Sequence, residues 1–86
     1  MIKRVRCHFS GVVQGVGFRP FIYRIARLHA LTGFVQNRPD GVVAEVEGTD
    51  PSIDAFLSDV RNHLPPLSDV TSLVTGEAPV QDDKEF

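Results

Sequence analysis

The residues best equipped for chemistry lie in one short stretch, GVVQGVGFRP, residues 11–20. Gly11, Gly15 and Gly17 allow positive φ, so that successive backbone N–H groups can turn inward as a nest. Arg19 adds a planar fork of donors that matches phosphate oxygens two at a time. Pro20 suits the first position of a helix, where its missing N–H would go unpaired anyway. The loop should therefore feed into a helix N-terminus, whose free N–H groups and positive dipole end favour an anion. Together these residues can form an oxyanion cradle, most simply for phosphate. A tight strand-to-helix connection with an exposed arginine uses the same residues. Two better-known phosphate loops are excluded: no Lys-Ser or Lys-Thr follows the glycines, and Pro20 stands where a dinucleotide fingerprint needs its third glycine.

Asn37 is the second candidate. It closes a β-prone run just before Arg38-Pro39-Asp40-Gly41. Asn in such a place often bonds the local backbone, yet its carboxamide can equally hold a water or a substrate oxygen. Spacing leaves both open. Cys7 is the only cysteine, which excludes an intramolecular disulfide and a CxxC metal site, and the three histidines stand far apart in sequence. No metal or other cofactor is expected.

The elements that must position these residues are legible from periodicity. Residues 3–13 alternate, with Val5, Cys7 and Phe9 on one face and Arg4, Arg6, His8 and Ser10 on a wet one, which predicts a half-buried strand. Phe18, Phe21, Ile22, Ile25 and Leu28 mark one face of a helix running to Leu31, with Gly33 as its left-handed stop and His29 near its negative end. Phe34–Asn37 and Val42–Glu47 flank a turn and read as a hairpin, with Glu45 and Glu47 on a solvated face. Asp50 as N-cap and Pro51 open a second helix through Ile53, Phe56, Leu57, Val60 and Leu64, which Pro65-Pro66 ends. Asp69–Gly76 is a further strand, and residues 78–86 form a polar loop. Strand, helix, strand, strand, helix, strand predicts an α+β sandwich, an antiparallel sheet with both helices on one face.

Eighty-six residues make a single domain, 1–86. A net charge of −2, with bases early and acids late, argues against a nucleic-acid partner and suits a small anion better. An RNA-binding sheet of this strand order would need exposed aromatics, whereas Phe9 falls on the apolar face. No apolar run is long enough to span a bilayer and the N-terminus lacks a signal-peptide core, so no membrane partner is expected and the cytoplasm is the expected location.

The pair VQGVGFR at 13–19 and GFVQN at 33–37 resembles the signature of the acylphosphatase family, over about residues 3–76. More narrowly, GFRPFIYRIA, EGTDPSIDAFL and LPPLSDV resemble the N-terminal acylphosphatase-like domain of the HypF carbamoyltransferases of [NiFe]-hydrogenase maturation. The resemblance implies a ferredoxin-like βαββαβ sandwich that hydrolyses an acyl phosphate, carbamoyl phosphate in that branch, without a cofactor. It implies that the N–H groups of Gln14, Gly15, Val16, Gly17 and Phe18 bind phosphate together with Arg19, and that Asn37 positions the attacking water. A non-catalytic module that binds phosphate or carbamoyl phosphate would use the same loop. The family's last short strand is expected to be incomplete or absent here, in a domain excised from a longer chain whose other domains would be partners.

Overall fold

A computed structural model describes residues 1–86. In chain order it contains β1 (Ile2–Val12), α1 (Phe18–Leu28), β2 (Thr32–Arg38), β3 (Gly41–Thr49), α2 (Asp50–Asn62) and β4 (Asp69–Ala78). The strands form one antiparallel sheet in the order β2-β3-β1-β4. This is the expected ferredoxin-like sandwich.

Alternation decides which sheet face is dry. Val5, Cys7 and Phe9 on β1 stand opposite Val46, Ala44 and Val42 on β3. All six are buried, under Phe18, Phe21, Ile22 and Ile25 of α1 and Ile53, Phe56 and Val60 of α2. Cys7 is a core residue; burial pushes its thiol up to about 12.

The first helix departs from expectation at both ends. It begins at Phe18, so Pro20 is its third residue rather than its first. It stops at Leu28, which is 70% exposed instead of facing the core. Ala30, not Gly33, takes the left-handed conformation, with φ 56°. The Ala30 N–H donates to the Arg27 carbonyl at 3.1 Å and the Leu31 N–H to that of Ala26 at 2.9 Å. Those two bonds make a Schellman ending, which tolerates alanine at some strain because it satisfies the last carbonyls and buries Leu31. Gly33 serves β2 instead: a Cβ there would lie 1.9 Å from the Glu45 carbonyl oxygen. On the second helix Thr49, not Asp50, is the N-cap, accepting from the Ser52 N–H at 3.3 Å. Asp50 follows it as the first helical residue and pairs with Lys3 at 2.6 Å.

The helix-free face is drier than the charge pattern predicts. Arg4 is only 2% exposed and Glu47 5%. Arg4 donates to Glu45 at 2.5 Å, Glu47 at 3.2 Å and Asp83 at 3.1 Å, and Arg6 adds a bond to Glu45 at 2.7 Å. Residues 79–86 have no regular structure but are strapped across this end of the sheet. The Gln81 and Asp82 N–H groups donate to the Glu47 carboxylate at 2.7 and 3.0 Å. Further along, the Glu85 carbonyl accepts from the Gly33 N–H at 3.3 Å, and Phe86 packs on Tyr23 with ring centroids 5.9 Å apart. The donated bonds, from Arg4 to Glu45 and from the Gln81 N–H to Glu47, hold both carboxyls below their ordinary range.

Candidate active site

The loop between β1 and α1 is anchored at both ends by buried side chains. Val13 and Phe18 are each 1% exposed, and Phe18 meets Phe9 edge-on at 5.0 Å. Between the anchors, Gly15 and Gly17 take positive φ of 74° and 78°. A Cβ at either would touch nothing within 4 Å, so their requirement is conformational, not steric. Gly17 is the left-handed N-cap of α1, and no side chain caps the helix. The first bond back to the loop is from the Phe21 N–H to the Gly17 carbonyl, at 3.2 Å. The N–H groups of Phe18 and Arg19 therefore open the helix with no acid in its first turn to answer them.

Arg19 and Asn37 come together here. A cleft of about 230 Å³ is lined by Val13, Gly15, Gly17, Phe18, Arg19, Pro20 and Asn37. No carboxylate lines it. Every ion pair in the chain lies elsewhere, so the exposed Arg19 is the one charge at the helix start. Asn37 sits on β2 opposite Val42, one residue before the strand's end. The side-chain amides that bond within the chain belong to Gln14, Gln36, Asn62 and Gln81, so Asn37 does not spend its carboxamide on the local backbone.

Two residues of the candidate loop do not line the cleft. Val16 is half-buried against the core. Gln14 turns its amide away, donating to the carbonyls of Arg38 at 2.5 Å and Gly41 at 2.9 Å. Beside the cleft lies a shallow one of about 280 Å³ that shares Arg19 and Pro20 and adds Tyr23 and Val35. Tyr23 carries no signal of its own in the sequence beyond its place four residues after Arg19, which puts both on one helix face. No three His, Cys, Asp or Glu side chains converge where they could hold a metal ion.

The acylphosphatase family model matches residues 5–86. The chain belongs to the acylphosphatase family. An acylphosphatase of Chlorobaculum tepidum is 42% identical over 79 residues, covering 91% of this chain and 85% of that protein. A probable HypF carbamoyltransferase of Methanocaldococcus jannaschii is 46% identical over 70 residues, or 81% of this chain but 9% of the relative. Among solved structures, full-length HypF in a phosphate- and nucleotide-bound form superposes with a TM-score of 0.98 at 37% identity, over 100% of this chain and 11% of that one. Acylphosphatase from Bacillus subtilis gives 0.86 at 35% identity, over 99% of this chain and 93% of its own. The chain thus matches whole small acylphosphatases and the acylphosphatase-like part of much longer HypF proteins. No helix is long and apolar enough to cross a membrane.

Proposed function

We propose that this domain hydrolyses acyl phosphates, with carbamoyl phosphate as its substrate, and that it serves as the N-terminal domain of a hydrogenase-maturation carbamoyltransferase. The observation that carries the reading is the shared cleft, where an unpaired Arg19 and an uncapped helix start face a free Asn37 carboxamide. The phosphate dianion docks on the Arg19 guanidinium and the N–H groups of Gly15, Gly17 and Phe18, the loop residues that line the cleft with it. Asn37 holds a water beside phosphorus. The water oxygen forms the new P–O bond, the bridging P–O bond breaks, and the acyl carboxylate leaves with its electron pair. For carbamoyl phosphate the leaving group is carbamate, and the water's protons end on phosphate or solvent. Charge spreads over the phosphoryl oxygens in the transition state, where donors fixed in advance lower the barrier. Holding the water adds a positioning effect. The leaving group is activated enough that no general base is required of the chain, and no acid lines the cleft to act as one.

Phosphate release from carbamoyl phosphate and acetyl phosphate tests this directly. Wild type should exceed spontaneous hydrolysis, Arg19→Ala should lose both turnover and phosphate affinity, and Asn37→Ala should keep affinity while losing rate. A folded wild type that binds phosphate without accelerating hydrolysis would make the domain a binding module instead.

A further inference from the structure

We infer that Gln14 is a positioning residue, setting Asn37 in place against the phosphate cradle; this rests on the reading above. The cradle and Asn37 belong to different elements, the β1–α1 loop and the β2–β3 hairpin, so something must fix the distance between them. The Gln14 side chain spans that gap. Its amide donates to the carbonyls of Arg38 and Gly41, at 2.5 and 2.9 Å. These two residues are register partners and bracket the turn that follows Asn37. Both acceptors are carbonyls, so only the nitrogen end of the amide can face them, and each of its two hydrogens has one partner.

A second contact shows how closely the hairpin tip is seated. Gly41 lies so near β1 that a Cβ on it would stand 2.0 Å from the Phe9 carbonyl oxygen. That packing holds the hairpin against the strand, and Gln14 ties its tip to the loop one residue before Gly15. Since Gln14 itself does not line the cleft, it acts through Asn37. Releasing the tie leaves the Arg19 fork and the helix start intact while freeing the water-holding amide to drift. A displacement of about 1 Å at a reacting centre can cost on the order of a hundredfold in rate.

The test compares wild type with Gln14→Ala and with Gln14→Met, which keeps the side-chain length without donors, each alone and combined with Asn37→Ala. The expected result is a fall in kcat of about tenfold or more, with inhibition by inorganic phosphate changed less than about threefold. In the Asn37→Ala background the Gln14 change should add nothing, because the group it positions is gone. Independent losses in the double variant, or a phosphate affinity that falls in step with kcat, would overturn the inference. A readout independent of turnover is the Asn37 side-chain amide in nitrogen-15 NMR spectra during titration with inorganic phosphate. It should respond in wild type and lose that response in Gln14→Met. An equal response in both overturns the inference even if no turnover is found; a lost response sustains it even where hydrolysis fails.

Discussion

Two arginines at opposite ends of the molecule make opposite uses of the same side chain. Arg4 lies 2% exposed on the helix-free sheet face, with three carboxylates around it. Arg19 stands exposed at the start of α1 with no acid beside it, facing a cleft it shares with Asn37. A buried guanidinium whose Nε and Nη1 donors are taken by carboxylates of its own chain serves to hold the chain together. One with donors free at a helix N-terminus can hold a ligand's oxyanion. Surroundings, not residue type, separate the structural arginine from the one we propose for the site.

The sharpest way to break that contrast is to remove Arg4. Arg4→Ala leaves Glu47 buried without its cation and should destabilise the fold by about 3 kcal/mol or more. Thermal denaturation should then show a Tm lower by upwards of about 10 °C. Arg19→Ala should do the reverse. Stability measured by urea should move by less than about 0.5 kcal/mol, as for other exposed substitutions, while turnover falls on the order of a hundredfold, as when one preorganised donor is lost.

Gly17→Ala sharpens the site side of the comparison. It forces a left-handed alanine at the N-cap and should cost about 1–2 kcal/mol in urea unfolding, with weaker phosphate binding by titration. Acid sharpens the other side. Glu45 and Glu47 have folded-state values held below the ordinary carboxylate value of 4.5. Their contribution is fully present above that value and is lost as pH falls through the depressed ones, because the unfolded chain then binds more protons. Urea midpoints should decline below about pH 4.5, and less steeply in Glu47→Gln. The smallest effect concerns Cys7. With its thiol pushed up to about 12, it should resist alkylation at pH 8 in the folded protein and react at once in denaturant.

The order of elements and both core faces were legible because hydrophobic period depends on neighbours a few residues apart. The burial of Arg4 was not. It depends on β3 pairing that sets Glu45 and Glu47 beside it, and on a tail that brings Asp83 and the Gln81 and Asp82 N–H groups over them. An alternating pattern marks charged positions as wet whatever covers them later. The α1 ending is hard to read from the sequence for a related reason. Two positions compete for the left-handed residue, and only the close approach of Gly33 to Glu45 explains why glycine is spent on the strand. At the site, the loop was readable from glycines, Arg19 and Pro20, whereas Asn37 was ambiguous until the hairpin brought it to the same cleft. Gln14's side chain gave no local signal, since its two acceptors are backbone carbonyls far along the chain.

The central claim, that the phosphate site is built on Arg19 and not on the chain's other arginines, is tested most directly by titrating inorganic phosphate into nitrogen-15-labelled protein. Saturable shifts at the amides from Gly15 to Arg19 and at the Arg19 guanidinium, with the Arg4 Nε signal unmoved, are the predicted result. Shifts centred on Arg4 and its neighbours, or none that saturate at the loop, would contradict it.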